Sequence, residues 1–383
     1  MKTVCQKDMC TGCGACLNAC SHNAVKIVDD VKHMNAVIDE KSCINCGICE
    51  KVCPNNNAVQ KQDAIFWKQG WAAQQNIRSR GSSGGIASAL FEAFIKNGGV
   101  VCSCLFDKGE FKFLCTEDLE KVKRFAGSKY VKSNPGLIYK EVKQYLNQDR
   151  AVLFLGLPCQ VAALLNFIPK NQQKKLYTID LICHGTPSQK LLELYLKQNG
   201  VSLQEVDDIK FRSKGVMGLK VKGLSALGTV DRYLISFLNA LNYTENCYHC
   251  QYATTERVSD LTLGDSWGTA LTNEMKNGVS LIGCYSEKGQ EILNIAKITL
   301  NEVDIEEAKK YNGNLINPSI APSSRGEFFQ QILKGRNYNK LIGKYFPRQC
   351  IRQNLKRLAI KLKLKKPQGG YRIVVIYDVF REI

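Results

Sequence analysis

The chain has 383 residues, 44% hydrophobic and 23% charged, which is ordinary for a globular protein of roughly two or three domains. Because no run of about 18 or more uncharged apolar residues occurs, a membrane span is not expected. The formal net charge of +18 suggests anionic partners, but much of the excess lies in Arg348–Lys366, which contains eight lysines or arginines and no acid.

Eighteen cysteines are too many to be incidental. A disulfide-rich secreted protein would normally be shorter and would carry a signal peptide, whereas Met1–Lys7 runs directly into a cysteine motif. We therefore expect reduced thiols in the cytoplasm. Thiols in this number and at regular spacing usually hold metal.

The first predicted element is a duplicated cysteine run. The spacing C-x2-C-x2-C-x3-C begins at Cys10 and again at Cys43, where Pro54 follows it. This is the spacing of bacterial ferredoxins with two [4Fe–4S] clusters, in which the fourth cysteine of a run ligates the other cluster. The predicted ligands of the first cluster are Cys10, Cys13, Cys16 and Cys53, and those of the second are Cys43, Cys46, Cys49 and Cys20.

The residues around these runs favour the same interpretation. Gly12, Gly14 and Gly47 stand beside ligands, where the backbone must wrap closely around a cluster. Residues 24–28 and 35–39 are expected to form short strands joined by a turn. The alternative is a set of zinc-binding or free cysteines. Cys5 lies outside both runs and is interpreted as incidental.

From Trp67 onward the pattern alternates between strands and helices. Gly81–Gly85 precedes an apolar helical stretch over 86–95, and a Gly/Ser turn at a helix N-terminus can bind a phosphate. The alternative is that the Gly/Ser turn only provides a flexible connection into a capped helix. The pattern does not decide between a phosphate site and such a structural turn.

Two later segments share a strand–turn–helix layout. A strand over 151–155 is followed by Cys159 and a helix over 160–167, and a strand over 177–182 is followed by Cys183 and a helix over 189–198. Such units in series predict parallel strands. Both cysteines then lie at the carboxyl ends of strands, where open α/β sheets place their sites.

A third cysteine motif follows in the same region. Cys247 and Cys250 have the spacing of metal ligands, and a strand is expected over 279–285. Gln251 follows where a haem site would need histidine. The remaining cysteines have no such context and are interpreted as small buried apolar residues: Cys102, Cys104, Cys115, Cys284 and Cys350.

In this order the motifs resemble those of the family of beta subunits of coenzyme F420 hydrogenases and dehydrogenases, over roughly residues 5–290. Besides the cysteine runs, the resemblance rests on these segments: Ser82–Gly85, Gly127–Tyr130, Gly156–Gln160, Cys183–Gly185, Phe211–Lys214, Cys247–Cys250 and Gly264–Gly268.

The resemblance implies an FAD enzyme that passes electrons between iron–sulfur clusters and an organic acceptor, which is the deazaflavin coenzyme in archaeal members. Many bacterial members are encoded among polysaccharide biosynthesis genes. The candidates for contacts with FAD or an anionic substrate are Ser82, Ser83, Gly84, Gly85, Lys129, Tyr130, Arg212 and Lys214. The lysines can equally be solvated surface charges, and no catalytic residue is assigned.

The family motifs also suggest a third [4Fe–4S] cluster, held by Cys159, Cys183, Cys247 and Cys250. A zinc site, a redox-active cysteine pair, or cysteines that line a flavin pocket are the alternatives.

The expected fold is an α+β ferredoxin-like dicluster domain over 1–65, then an α/β flavin-binding domain with a largely parallel sheet over 66–300, then a C-terminal extension over 301–383. The expected partners are a ferredoxin or another redox protein and an organic substrate. An electron-transfer subunit without its own substrate is the alternative. No nucleic acid is expected, because the basic residues lack interleaved aromatics. The basic amphipathic helix of the extension can contact the inner face of a membrane or pack on the body.

Overall fold

The computed structural model describes residues 2–213, 216–221, 224–225 and 231–362. The N-terminal region contains two short helices and an antiparallel strand pair: α1 (Ala15–Ala19), β1 (Val25–Asp29), β2 (Met34–Ile38) and α2 (Ile48–Lys51). Residues before the first cysteine run add to this pair, since Thr3 forms a bridge with Val37 and Val4 N–H donates to the Ala36 carbonyl at 2.9 Å. The N-terminal segment is thereby fixed beside the cysteine runs.

The central region alternates strands and helices, as its pattern predicts. Its first half contains β3 (Phe66–Ala72), α3 (Gln75–Arg80), α4 (Ile86–Lys96), β4 (Val100–Asp107), β5 (Glu110–Thr116), α5 (Leu119–Val122), α6 (Ile138–Asn147), β6 (Val152–Leu155), α7 (Pro158–Phe167), β7 (Leu176–Leu181) and α8 (Gln189–Gln198). The strands and helices predicted here are present, with bounds shifted by one or two residues.

The second half contains β8 (Lys210–Ser213), β9 (Val216–Val221), β10 (Leu224–Ser225), α9 (Arg232–Leu238), β11 (Leu261–Asp265), β12 (Ser280–Cys284), α10 (Glu287–Asn294) and β13 (Ile298–Glu302). The C-terminal helices are α11 (Ile305–Tyr311), α12 (Arg325–Leu333), α13 (Tyr338–Tyr345) and α14 (Pro347–Lys361). No described helix is long and apolar enough to span a bilayer.

Within the described residues, eight strands form one sheet in the order β13-β3-β12-β11-β7-β6-β4-β5. The strands β4, β6, β7 and β11 are parallel, whereas every pairing toward either edge is antiparallel. The prediction of a largely parallel sheet is thus right for the centre and wrong for the flanks. One reason is local: Lys108 and Gly109, both with positive φ, turn β4 directly into β5, and a two-residue turn can only join antiparallel strands.

Helices cover both faces of this sheet. Alternate residues of β6 point in opposite directions, so Phe154 packs in the core beneath α6 and α7, and Leu153 packs in the core beneath α4 and α10. Cys13 and Ala15 of the N-terminal region belong to the first of these cores. The dicluster region is therefore packed against the sheet domain through a shared apolar interior.

A third core contains the C-terminal helices. Phe328 of α12 and Tyr338 of α13 pack with Phe211 and Tyr233, which belong to β8 and α9. The strand β13 spans the boundary that we expected at residue 300 and pairs with β3 at the edge of the large sheet. Residues up to 350 therefore share strands and cores with the central region.

Candidate metal centres and the sheet-edge cluster

The cysteines of the two runs line two separate cavities. The first cavity is lined by Cys10, Cys13, Cys16 and Cys53, and the second by Cys20, Cys43, Cys46 and Cys49. These are the two sets of ligands that the spacing predicts. In both runs the last cysteine crosses to the cavity of the other run, because α1 and α2 carry it away from its own loop.

Both cavities have the chemistry that a [4Fe–4S] cluster requires. Besides four thiols, each offers backbone N–H groups to sulfur, since Gly12 donates to Cys10 at 3.4 Å and Ala24 donates to Cys20 at 3.3 Å. Gly12 has a φ of +68°, and a Cβ there would lie 2.9 Å from the Met34 sulfur. The first loop therefore needs glycine in order to wrap around the cavity.

The two cavities differ in exposure. The Cys46 side chain is exposed and the other three thiols of the second cavity are half-buried, whereas all four thiols of the first cavity are buried. Ile44 and Ile48, beside the second cavity, are also exposed. The second cavity is therefore the one that a partner protein can approach from outside.

Cys5, which the sequence analysis interpreted as incidental, lies in the wall of the first cavity. The five other cysteines without motif context are, as predicted, buried or half-buried among apolar residues, and none of them lines either cavity.

The four cysteines proposed for a third cluster come from three segments of the chain. Cys159 follows β6, Cys183 follows β7, and Cys247 and Cys250 lie in the turn at residues 245–250. Burial, with a contribution from the charges of Cys247 and Cys250, raises the pKa of Cys183 to about 12. Burial is also the main cause that raises the pKa of Cys159, and the neighbouring charges of Cys250, Cys13 and Cys183 add to it. Cys183 is thus near Cys247 and Cys250, and Cys159 is near Cys183, Cys250 and Cys13 of the first cavity, close enough in each case for one thiol to influence the pKa of the other.

A buried lysine that the sequence analysis did not single out lies between these two groups of thiols. The Lys132 ammonium donates to the Thr11 carbonyl at 2.9 Å and is close enough to Cys10, Cys159 and Cys183 to lower the pKa of each thiol. No local motif marks this residue. Its position depends on the packing of the N-terminal region against the segment that follows β5.

At the carboxyl edge of the parallel strands, six residues form what we call the sheet-edge cluster: Ser82, Tyr130, His184, Arg212, Asp265 and Trp267. The Arg212 guanidinium donates to both Asp265 carboxylate oxygens, at 2.6 and 2.8 Å, and to the Ser82 carbonyl at 2.6 Å. It also lies 5.5 Å from the centre of the Trp267 ring. Arg212 therefore joins the Gly/Ser turn to the end of β11.

His184 also belongs to the sheet-edge cluster, although the sequence analysis named it only within the segment Cys183–Gly185. Its side chain is exposed, yet burial lowers its pKa, with Asp265 acting in the opposite direction. The charges that act on this imidazole are those of Asp265 and Arg212, the central pair of the cluster. The C-terminal region reaches the same place, because the Ser319 hydroxyl donates to the His184 carbonyl at 2.7 Å.

The Gly/Ser turn over 82–85 is packed tightly against the sheet. A Cβ on Gly84 would lie 2.4 Å from the Gly70 carbonyl oxygen, the Gly84 N–H donates to the Ser280 hydroxyl at 3.0 Å, and the Ser83 hydroxyl donates to the Val279 carbonyl at 2.8 Å. Gly85 has a φ of +80° directly before α4. The glycines are thus explained in part by the close approach of the turn to two strands.

The remaining residues proposed to contact flavin are Lys129, Tyr130 and Lys214. The Lys129 ammonium donates to three backbone carbonyls of its own loop, those of Phe125, Ala126 and Gly127. Tyr130 stacks on Phe237 with ring centres 4.4 Å apart, and its hydroxyl accepts a hydrogen bond from Arg212 at 3.5 Å. Lys214 lies outside the described residues.

Comparisons with known proteins agree with this organisation. Residues 68–137 and 149–308 match the models for the N-terminal and C-terminal parts of the coenzyme F420 hydrogenase/dehydrogenase beta subunit, and residues 9–57 match the model for a 4Fe-4S dicluster domain. A subunit of the F(420)H(2) dehydrogenase of Methanosarcina mazei is 22% identical over 355 residues, which cover 86% of this chain and 94% of the relative. A chain of the F420-reducing [NiFe] hydrogenase complex from Methanosarcina barkeri is 18% identical, with a TM-score of 0.49, and the match covers 72% of this chain and 93% of that chain.

Proposed function

The chain belongs to the family of coenzyme F420 hydrogenase/dehydrogenase beta subunits and contains a 4Fe–4S dicluster domain, and from this premise we propose that it is an iron–sulfur flavoprotein that transfers electrons between a redox partner and an organic substrate. The observation that carries the proposal is the succession of thiol groups. It begins at the exposed second cavity, continues through the buried first cavity, and reaches the four central cysteines near the sheet edge.

The residues that would hold the clusters follow from this geometry. The first cavity offers Cys10, Cys13, Cys16 and Cys53, and the second offers Cys20, Cys43, Cys46 and Cys49. A third cluster would be held by Cys159, Cys183, Cys247 and Cys250. A catalytic domain of this size does not require structural zinc, whereas an electron path into it needs a relay beyond the first cavity.

The sheet-edge cluster is the place that fits FAD or an anionic substrate. It combines a buried cation, an aromatic ring and an exposed imidazole at the carboxyl edge of parallel strands, next to the N-terminus of α4. When bound, the clusters would carry single electrons and the flavin would couple them to two-electron chemistry. Asp265 and the Ser82 carbonyl hold the Arg212 guanidinium in a fixed orientation within this cluster.

The partner is proposed to be a ferredoxin or another redox protein that approaches the second cavity. The exposed Ile44 and Ile48 offer that partner an apolar contact beside the thiols. The substrate is proposed to be an organic molecule, and polysaccharide biosynthesis is the setting that the bacterial type of this family suggests. Reduced thiols in this number fit the cytoplasm.

A second candidate is an electron-transfer subunit without a substrate of its own. The name of the Methanosarcina mazei relative, which designates one subunit of a dehydrogenase, favours this interpretation. It predicts that the purified protein forms a stable complex with a partner chain and turns over no substrate alone.

Anaerobic purification followed by iron, sulfide and flavin analysis tests the proposal. We expect visible absorption of iron–sulfur clusters and FAD that is released on denaturation. Protein with its full iron content that neither carries nor binds any flavin would exclude the flavoenzyme and leave the electron-transfer subunit. Protein that holds no iron–sulfur cluster after reconstitution would exclude both.

A further inference from the structure

Cys5 is a fifth thiol in the cavity of the first cluster. Its side chain is buried and lines the same cavity as Cys10, Cys13, Cys16 and Cys53. Among the described residues that line the second cavity there are four thiols and no fifth. The two halves of this duplicated module therefore differ at one position that the cysteine spacing does not show.

The backbone at Cys5 is held in place from two directions. On one side, Val4 N–H donates to the Ala36 carbonyl at 2.9 Å and the Lys2 carbonyl accepts from Ile38 N–H at 2.9 Å. On the other side, the Asn56 amide donates to the Val4 carbonyl at 2.8 Å. The position of this thiol is consequently a property of the folded module and does not depend on a loose N-terminus.

The Cys5 thiol shares the first cavity with the sulfurs of Cys10 and Cys53, two of the proposed cluster ligands. It accepts a hydrogen bond at 3.8 Å from the Asn55 amide, and Asn55 lines the same cavity. Since a thiol has one proton, Cys5 can donate to one of these two sulfurs at a time.

We propose that Cys5 acts as a reserve ligand of the first cluster: it hydrogen-bonds a liganding sulfur when all four ligands are present, and it binds iron itself when Cys10 or Cys53 is lost. The inference rests on the first cluster of the proposed function. In the ligand replacement an Fe–S bond forms at Cys5 and its thiol proton passes to the solvent, so no electron is transferred. In the intact protein, hydrogen bonding to a cluster sulfur tunes the reduction potential. We expect the hydrogen bond from Cys5 to stabilise the reduced cluster, which carries the greater negative charge.

Three alanine variants test ligand replacement in the full-length protein, reconstituted anaerobically. We expect Cys53→Ala to keep the first cluster with an altered electron paramagnetic resonance signal in the reduced state. The double variant Cys5→Ala/Cys53→Ala should lose about four irons per chain, the content of one cubane. The matched control is Cys49→Ala, which removes a ligand where no reserve thiol lines the cavity and should lose its cluster as a single substitution.

The variant Cys5→Ala tests the hydrogen bond separately. It should keep all its iron, and the midpoint potential of its first cluster should become more negative than that of the wild type. Circular dichroism shows whether each variant is folded, and in the variants of Cys5 and Cys53 the retained second cluster shows it as well.

Two results would overturn the inference: equal iron loss in Cys53→Ala and in the double variant, or an unchanged midpoint potential in Cys5→Ala. A wild-type protein that forms no first cluster at all would overturn the cluster assignment of the proposed function and this inference together, whereas the two results above leave the proposed function intact.

Discussion

Arg212 and Asp265 are joined by two hydrogen bonds, one from each terminal guanidinium nitrogen to a different carboxylate oxygen. The Arg212 side chain is only 5% exposed, so its charge depends on this carboxylate. Burial is the largest effect on the pKa of Arg212 and lowers it, but the charge of Asp265, the neighbouring Tyr130 and the hydrogen bonds to both together raise that pKa above its usual value. Because Arg212 also holds the Ser82 carbonyl, the pair couples the Gly/Ser turn to the end of β11.

We therefore expect Asp265→Asn to destabilise the protein. The substitution removes the counter-charge of a buried guanidinium and should lower the free energy of unfolding by about 3 kcal/mol. This value is at the low end for a broken buried ion pair, because the Ser82 carbonyl still accepts a hydrogen bond from Arg212. Anaerobic unfolding followed by circular dichroism measures the effect. The matched control is Asp107→Asn, whose partners Lys112 and Arg124 are partly exposed, and it should cost about 0–1 kcal/mol. Equal losses in both variants would contradict the role of the buried pair.

The proposed third cluster predicts a loss of iron when one central cysteine is removed. Replacing Cys159 or Cys250 by serine should lower the iron content from about twelve per chain toward about eight, because each cubane holds four irons. The N-terminal clusters should remain. The control is Cys284→Ser, which alters a buried cysteine that contacts no other thiol group of the site. Wild-type protein that holds only about eight irons after full reconstitution would show that no third cluster exists.

Lys132 is expected to tune the potentials of the clusters on either side of it. Its ammonium is buried near Cys10, Cys159 and Cys183, where a positive charge acts through a low dielectric and favours the reduced, more negative clusters. Lys132→Met should therefore make at least one midpoint potential more negative in an anaerobic redox titration. Lys121→Met, which removes an exposed lysine of α5, should leave the potentials unchanged. Identical titrations of wild type and Lys132→Met would disprove the tuning role.

The helix α14 predicts binding to anionic lipid. The stripe Ile351, Leu355, Leu358 and Leu362 is exposed at helical spacing, while Cys350, about 100° around the helix from Ile351, is buried against the body. The sequence of the helix contains five lysines or arginines and no acid, which suits a surface of negative charge. The alternative was that the apolar side of this helix packs on the body of the protein. These four residues are exposed and do not pack in this way.

Co-sedimentation with vesicles measures this binding. The wild type should bind vesicles of phosphatidylserine and phosphatidylcholine more strongly than vesicles of phosphatidylcholine alone, and Leu355→Glu/Leu358→Glu should abolish the difference. Asn171→Glu/Gln204→Glu adds the same charge at exposed positions outside α14 and should retain most of the binding. Equal binding of the wild type to both vesicle types would remove the membrane interpretation.

The sequence indicated the central part of the sheet and missed its flanks. The strands that precede Cys159 and Cys183 were recognisable because each is an apolar segment followed at once by a turn and a helix, and that order dictates parallel neighbours. The strand β3 pairs with β12 and β13, which lie more than 200 residues further along the chain. No local pattern encodes such a pairing, so this antiparallel edge emerged only from the folded chain, whereas the antiparallel edge formed by β4 and β5 depends on a local two-residue turn.

The family and the two groups of four thiols could be predicted from the sequence, because ligands held in short loops are placed by spacing and by the glycines between them. The folded chain was needed to show that Cys5 joins the first group, that Lys132 lies between the thiols, and that His184 and Ser319 meet at the sheet edge. These positions depend on long-range strand pairing and on the burial of apolar surface shared by distant segments. When apolar surface is buried, a thiol or an ammonium from any segment of the chain can come to lie at a site, and the spacing of residues in the sequence does not predict this.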